Sequence, residues 1–248
     1  MRGSLFATCA VATALIGGVA HANTLAIDYY QVPDAALYTG HGTDFGVCCS
    51  TGDGATLPDI AVGSPLLGGL PVTSGGPNPV VDVSTSGQIL WWTPSLSTGV
   101  QSTGSGVVTL TYSSNMFAPN STGANDAAYF ETALLSGIIH GTGTDVQLSV
   151  ASDDDALVYL DGQYVGGNPG VHGTGSTTIN LGDLFGAQSL EIFYADRAQV
   201  GANLEVSLTG ATVTAAPELS TWAMMLLGFA GLGFAGYRGS RKDAAIPV

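Results

Sequence analysis

The sequence predicts an all-β fold, an antiparallel β-sandwich, between two terminal segments, and three observations support this prediction. Short runs alternate apolar and polar residues or are rich in β-branched and aromatic residues, as strands are. Gly, Ser, Thr, Asn and Pro fill the gaps between these runs, and glycine accounts for 36 of the 248 residues. No 3.6-residue periodicity occurs outside the terminal segments. Many short strands separated by turn signals indicate a sandwich or a barrel.

The strongest strand signals lie in the second half of the chain. Val146–Val150 and Leu204–Leu208 alternate in a way that buries one face, and Asp161-Gly162 predicts a tight hairpin turn. Further β-branched or aromatic runs occur at residues 107–112, 157–160, 177–181 and 190–194.

The predicted domain organisation follows from these signals. We expect an N-terminal β region over residues 23–125, a β-sandwich core over 126–210 and a linker over 211–216. No sharp boundary separates the first two, so one extended β domain is the simpler interpretation.

The first 22 residues predict a secretory signal peptide. A basic start precedes an apolar run from Leu5 to Val19, and Ala20 and Ala22 then form the small-x-small pattern that signal peptidase accepts. We therefore expect the chain to be exported from the cytoplasm and cleaved after Ala22.

The C-terminal segment predicts a transmembrane helix over residues 221–237. The sixteen residues from Trp222 to Tyr237 have no polar face and span about 24 Å as a helix. Arg238, Arg241 and Lys242 follow at once, which predicts a cytoplasmic end by the positive-inside rule.

Residues 217–242 resemble the PEP-CTERM sorting signal of Gram-negative bacteria. Pro217 and Glu218, a short spacer, the apolar helix and the basic end carry this resemblance. Segments of this kind also bear the name of an ice-binding protein C-terminal domain, which implies nothing about ice. The resemblance implies recognition by an exosortase in the inner membrane, removal of the helix, and release or attachment at the cell surface. Leu219 stands where the family has a second proline, so cleavage stays open.

The charge distribution excludes a nucleic-acid partner. The chain has 19 acidic and 5 basic residues. Residues 23–216 contain 17 acidic residues and one basic residue, Arg197, which gives a net charge of −16. Nucleic-acid binders need Lys and Arg to displace counterions, whereas here the other basic residues belong to the terminal signals.

Three consecutive carboxylates, Asp153, Asp154 and Asp155, follow the predicted strand that ends at Ala151. Adjacent carboxylates repel one another, so such a run is either a solvated turn or a cation site. Ca²⁺ prefers 6–8 oxygen ligands, which carboxylates and backbone carbonyls supply, although the spacing differs from that of an EF-hand. The residues alone leave both alternatives open.

Residues 130–208 resemble the fibro-slime domain, a relative of the protective-antigen-type β-sandwich of adhesins, toxins and glycosidases. The resemblance is carried by SDDDALVYLDG (152–162), GVHG (170–173) and LEIFYADR (190–197), in the family's order. The resemblance implies the same β-sandwich for this part of the chain.

The same resemblance implies a calcium site. In sugar-binding members of the fold an Asp-Asp pair, often with a cis peptide between the two, chelates Ca²⁺, a residue in a later loop completes the site, and the ion binds sugar hydroxyls. The pair corresponds to Asp153 and Asp154, and the later residue to Asp196. Asp155 fits the fibro-slime pattern and is retained as a fourth metal candidate, although sugar-binding members commonly have a smaller residue there.

The remaining candidates predict no catalysis. Cys48 and Cys49 form either a strained vicinal disulfide or two thiols on opposite faces. Trp91-Trp92 is either a sugar-stacking platform or part of the core, and His172 is expected to pack or to bond within its turn. The sequence contains no GxSxG, HExxH or P-loop motif.

Together these observations predict an exported, cell-surface-directed, non-enzymatic β-sandwich protein that binds calcium and serves adhesion or an exopolysaccharide or biofilm matrix. The expected partners are signal peptidase, an exosortase, the inner membrane during export, and an extracellular polysaccharide bound through Asp153 and Asp154. One alternative is a purely structural envelope or matrix protein, and a polysaccharide hydrolase ranks third.

Overall fold

Two antiparallel sheets form the described part of the protein. The structure is a computed structural model, and it describes residues 23–33, 44–46, 64–73, 82–95, 97–119, 126, 128–215, 229–230, 232 and 234. The strands are β1 (Thr24–Pro33), β2 (Gln101–Thr109), β3 (Tyr112–Asn115), β4 (Tyr129–Thr142), β5 (Val146–Asp153), β6 (Asp155–Leu160), β7 (Gln163–Asn168), β8 (Gly175–Gly182), β9 (Phe185–Ala195), β10 (Asn203–Thr209) and β11 (Ala211–Ala215). The all-β, antiparallel prediction is confirmed.

The two sheets differ in size. The larger one runs β2-β1-β4-β9-β6-β7, and β11 adds to β4 next to β1. The smaller one runs β3-β10-β5-β8. Strand β4 is long enough to pair with β1 along one half and with β11 along the other, while β9 pairs with its opposite edge.

The main core lies between the two sheets, as in a sandwich. Val146, Leu148 and Val150 of β5 are buried, whereas Gln147 between them is exposed. This alternation is the period-2 pattern of a strand with one buried face. The facing side chains of the larger sheet include Leu135, together with others of β1, β6 and β9.

A second apolar cluster covers the opposite face of the larger sheet. Trp91 and Trp92 are buried in it, and the Phe45 and Trp91 ring centroids lie 4.9 Å apart. Trp92 packs edge-on against Phe193 at 5.0 Å and donates its indole N–H to the carbonyl of Tyr194 at 2.8 Å. The core alternative for the tryptophan pair is therefore confirmed, and the sugar-stacking alternative is wrong.

The predicted linker over residues 211–216 is wrong. Residues 211–215 form β11, which pairs with Gly137–Gly141 of β4 and buries Val213 completely in the core. The N-terminal region is also integrated, because β1 lies between β2 and β4 in the larger sheet. The first described strand of the sandwich therefore begins at Thr24, and the last one ends at Ala215.

Ending the chain at Gly210 rather than at Ala216 is expected to destabilise the sandwich. Exposing Val213 and the backbone of β4 costs about 2 kcal/mol, which corresponds to a melting temperature lower by roughly 4–8 °C. Thermal unfolding of the two truncated chains, both starting at Asn23, measures the difference. Equal melting temperatures would show that β11 adds no stability.

The terminal predictions lie almost wholly outside the described residues. Ala20, Ala22, Pro217, Glu218, Arg238, Arg241 and Lys242 are not described, and neither are Cys48 and Cys49. Of the predicted transmembrane segment, residues 229, 230, 232 and 234 are described as helical and exposed. No helix within the described ranges is long and apolar enough to cross a membrane.

Candidate functional site

The aspartate run lies where the chain passes from one sheet to the other. Asp153 ends β5 in the smaller sheet and pairs with Asn203, whereas Asp155 begins β6 in the larger sheet and pairs with Ala195. Asp154 lies between them, and the peptide bond from Asp153 to Asp154 is cis. The strand break therefore brings the three aspartates together at one end of the sandwich.

Asp154 fastens two loops to this end of the sandwich. One carboxylate oxygen accepts the backbone N–H of His172 at 2.9 Å, and the other accepts those of Arg197 at 2.9 Å and Ala198 at 2.8 Å. Burial raises the pKa of Asp154 to about 6, against the lowering effect of these three donors. Because a carboxylate has about four lone-pair positions, the oxygen bonded only to His172 keeps one lone pair for a ligand.

Asp155 has a different role from the one predicted. One of its oxygens lies 3.2 Å from Arg197 Nη1, and both side chains are fully buried. The other oxygen accepts the backbone N–H of Gly170. Arg197 also donates from Nε to the carbonyl of Asp44 at 2.9 Å and lies 4.9 Å from the centre of the Trp91 ring. Arg197 therefore neutralises the charge of Asp155, which acts as an ion-pair partner rather than as the predicted metal ligand.

Asp196 is fully buried, and neither of its carboxylate oxygens has a hydrogen-bond partner. Its backbone is fixed, because its N–H donates to the carbonyl of Glu131 at 3.0 Å. Burial, then the neighbouring Asp126, then Asp154 and Asp153 raise the pKa of Asp196 well above its usual value. Asp196 therefore lies beside the predicted Asp pair, and its carboxylate lacks any donor.

Asp126 is a further buried carboxylate at this site, and the sequence did not predict it. Its Oδ1 accepts the backbone N–H of Ala118 at 3.2 Å, and its own N–H donates to the carbonyl of Gln199 at 3.1 Å. Its Oδ2 is buried without a partner. The Asp126 and Asp196 carboxyls are within reach of a shared proton, but when both are ionised there is no proton to share and they repel. No local motif marks Asp126, so only its place in the fold reveals it.

Asp153 lies at the opening of the site and is 8% exposed. Its Oδ2 is 3.4 Å from the hydroxyl of Thr174, and its backbone carbonyl accepts the Tyr194 hydroxyl at 2.6 Å. Asn203 donates to Thr174 at 3.1 Å, while its own side-chain oxygen is buried without a partner. Gly201 passes so close to the Asp153 carboxylate that a side chain at this position would collide with it.

His172 helps to build the loop that borders the site. Its ring nitrogens lie 2.9 Å from the carbonyl of Gly173 and 3.3 Å from that of Asn168. The expected hydrogen bonding within the turn is therefore confirmed.

The acidic groups at this end of the sandwich exceed the positive charge near them. Within the residues that the structure describes, Arg197 is the one Lys or Arg, and it forms an ion pair with Asp155 rather than with Asp126, Asp153, Asp154 or Asp196. Glu131 adds another buried acid, and burial together with Asp126 raises its pKa to about 8. Such a cluster needs either protons or a bound cation.

The donor set fits a hard cation, because every unpartnered atom of the cluster is an oxygen. In the part of the chain that the structure describes, no three His, Cys, Asp or Glu side chains are arranged as a ready-made metal cage. Calcium also accepts amide and carbonyl oxygens, and the unpartnered Asn203 oxygen is of this kind.

Comparisons with family models and with curated proteins assign the chain to no family. No protein-family model matches the chain, and no curated protein matches it. The fibro-slime and PEP-CTERM resemblances therefore stay predictions.

Solved structures give distant matches, which include PA14 domains. A PA14 sugar-binding domain from an RTX adhesin is 17% identical with a TM-score of 0.33, over 77% of this chain and 93% of that one. The A domain of epithelial adhesin 9 from Candida glabrata, in complex with Galb1-4GlcNAc, is 14% identical with a TM-score of 0.37, over 77% and 85%. The PA14 domain of the antifreeze protein MpAFP is 13% identical with a TM-score of 0.30, over 36% of this chain and about half, 54%, of that one. At this level of similarity the matches decide nothing about what this chain binds.

Proposed function

We propose that this protein is an exported, non-enzymatic β-sandwich that binds Ca²⁺ through Asp153, Asp154 and Asp196 and presents the ion to an extracellular polysaccharide. Its role is in adhesion or in an exopolysaccharide or biofilm matrix at the cell surface. Signal peptidase and an exosortase process its two ends at the inner membrane. The observation that carries the proposal is the fully buried, donor-free carboxylate of Asp196 beside three other acids.

The charge balance favours a divalent cation. A buried carboxylate without a donor is costly unless it is paired, protonated or bound to a metal. Asp196 offers two free oxygens and Asp154 offers one lone pair, while Asp153 accepts hydrogen bonds from the hydroxyl and the backbone of Thr174. An all-oxygen donor set suits Ca²⁺ rather than Zn²⁺, which prefers Cys and His.

The position of Asp153 supports a sugar as the second ligand. It is the carboxylate of the cluster that reaches the surface, and it lies between the loop that carries Thr174 and the loop that carries Gly201. Vicinal hydroxyls of a sugar supply the same kind of oxygen ligand that water supplies to Ca²⁺. A polysaccharide at this opening then completes the coordination of the ion.

A hydrolase is less well supported. A glycosidase places two carboxyls on opposite sides of the scissile bond, about 5–10 Å apart and both open to substrate. In the described ranges Asp126, Asp154, Asp155 and Asp196 are at most 1% exposed. A sugar-release assay on polysaccharide extracts tests this alternative, and a positive result reverses the ranking.

Calorimetric titration of the full chain in detergent with Ca²⁺ tests the metal site. We expect binding by the wild type and an affinity lower by at least about tenfold, or 1.4 kcal/mol, in Asp153→Asn. Asp153→Asn is preferable to Asp154→Ala, because the latter also removes the acceptor for three backbone N–H groups. Asp183→Asn is the matched control, since Asp183 is exposed and lies in another loop. Absence of heat with the wild type contradicts the proposal.

The exposed strand β2 favours a purely structural envelope or matrix role as the second candidate function. Among the described strands β2 pairs only with β1, and Val107 is 63% exposed. A free strand edge is a template for pairing with another chain. A glycan array separates the two functions: binding that a chelator abolishes supports the sugar-binding proposal, whereas a blank array with self-association in sedimentation supports a structural role.

A further inference from the structure

We propose that Asp126 is an additional ligand of the bound cation, so that the ion ties the segment between β3 and β4 to the loop after β9. This inference rests on the cation site of the proposed function. It adds a ligand that none of the sequence motifs contains, from a part of the chain that precedes the resemblance.

Asp126 is held from two sides. Its backbone N–H donates to the carbonyl of Gln199 at 3.1 Å, and its Oδ1 accepts the N–H of Ala118 at 3.2 Å. These bonds hold the backbone of Asp126 and one of its carboxylate oxygens. The remaining oxygen, Oδ2, is buried without a donor on a carboxyl that lies within reach of Asp196.

Two neighbouring carboxylates, which hold loops in place, have a donor on each oxygen. Asp154 has backbone donors on both oxygens, and Asp155 has Arg197 on one and Gly170 on the other. Asp126 has a donor on one oxygen, and Asp196 has none on either. If Asp126 were only a loop anchor, its second oxygen would also be expected to face a donor, because buried acceptors are normally paired.

A divalent cation resolves the repulsion between these two carboxylates. Three oxygens of Asp126 and Asp196 are buried without donors, and each is of the type that Ca²⁺ binds. With Asp153 and Asp154 the site then has four carboxylates, and the number of charged ligands sets calcium affinity. The competing occupant is a single proton shared between Asp126 and Asp196.

The variant Asp126→Asn separates the two occupants. Asparagine keeps the oxygen that accepts from Ala118, and its amide donates to the unpartnered Asp196 oxygen, so the calcium-free fold is preserved. We expect Ca²⁺ affinity to fall at least about tenfold, while the melting temperature in chelator equals or exceeds that of the wild type. The full chain in detergent is titrated by calorimetry, with Asp183→Asn as the control that leaves affinity unchanged.

A second measurement counts ligands directly. Tb³⁺ replaces Ca²⁺ as a luminescent probe, and its lifetimes in H₂O and D₂O report the number of bound waters. Loss of one carboxylate ligand is expected to admit about one further water in Asp126→Asn. A purely structural role leaves this number unchanged.

The outcomes distinguish the inference from the proposed function. If the wild type binds Ca²⁺ and Asp126→Asn binds it equally well with the same hydration of Tb³⁺, the inference is overturned and the proposed function stands. If the wild type binds no Ca²⁺ or Tb³⁺, both are overturned, and an unchanged melting temperature of Asp126→Asn then fits a proton shared between Asp126 and Asp196. Weaker Ca²⁺ binding together with an added water on Tb³⁺ supports the inference.

Discussion

Replacing Arg197 with methionine is expected to lower the free energy of unfolding by about 3–5 kcal/mol. Arg197 is fully buried and pairs with the equally buried Asp155 at 3.2 Å. Its Nε–H also donates to the carbonyl of Asp44, and its guanidinium faces the Trp91 ring. The substitution leaves the Asp155 charge buried and unpaired. It also removes the contacts that Arg197 makes with Asp44 and Trp91, which belong to or border the second apolar cluster on the larger sheet.

A double-mutant cycle isolates the ion pair. We expect Arg197→Met and Asp155→Asn each to destabilise the protein strongly, and the double variant to be less destabilised than the sum of the two, because neither then leaves a charge unpaired. Urea-induced unfolding of the full chain measures each free energy. Arg238→Met is the control that removes the same charge from the terminal basic cluster. A loss below about 1 kcal/mol in Arg197→Met would place the pair in the range of exposed salt bridges and contradict this account.

The strand faces that form the core between the two sheets were predictable from the sequence. The second apolar cluster, on the opposite face of the larger sheet, was not. Val146, Leu148 and Val150 alternate with polar residues because one face of β5 is exposed. Strand β6, in contrast, is buried on both faces. Leu157 and Tyr159 lie in the second apolar cluster, and Val158 lies in the core between the sheets. Such a strand has no alternation, so its sequence does not reveal which segment covers its second face.

The sequence of β11 predicts a linker rather than a strand, because Val213 is its only large apolar residue. A short polar strand shows little hydrophobic alternation in its sequence. Strand β11 is stabilised mainly by its pairing with the long strand β4.

Only the part of the candidate site that belongs to a local sequence motif was predictable. Asp153 and Asp154 are adjacent in the sequence, and the resemblance added Asp196. The sequence does not tell which carboxylate pairs with Arg197, and only the structure shows that this carboxylate is Asp155. Asp126 lies far from the motif, and only the fold brings it to Asp196.

Without calcium, the free energy of unfolding is expected to fall as the pH rises from about 4 to about 8. Burial raises the pKa of Asp154 from 3.8 to about 6 and that of Glu131 from 4.5 to about 8. At a pH below 3.8 both groups are protonated in the folded and the unfolded chain, and the stability is fully present. As the pH rises toward the folded pKa values, the unfolded chain releases its protons first, so the folded state loses stability. At about 1.4 kcal/mol per pKa unit, Asp154 alone accounts for on the order of 3 kcal/mol.

Calcium is expected to oppose this pH dependence, because metal ligands must be deprotonated and the ion stabilises only the folded chain. At a thousand times its dissociation constant the ion adds about 4 kcal/mol, and this gain is larger at pH 8 than at pH 5. Thermal unfolding of the full chain in detergent at pH 5, 6.5 and 8, with calcium or with chelator, measures both slopes. Asp196→Asn is the matched variant, because it removes a carboxylate without changing the shape of the side chain. We expect this variant to be more stable than the wild type at pH 8 in chelator. We also expect calcium to add nothing to its stability. A wild type that becomes more stable between pH 5 and pH 8 in chelator would contradict the raised pKa values. A gain from calcium that survives Asp196→Asn would place the ion elsewhere.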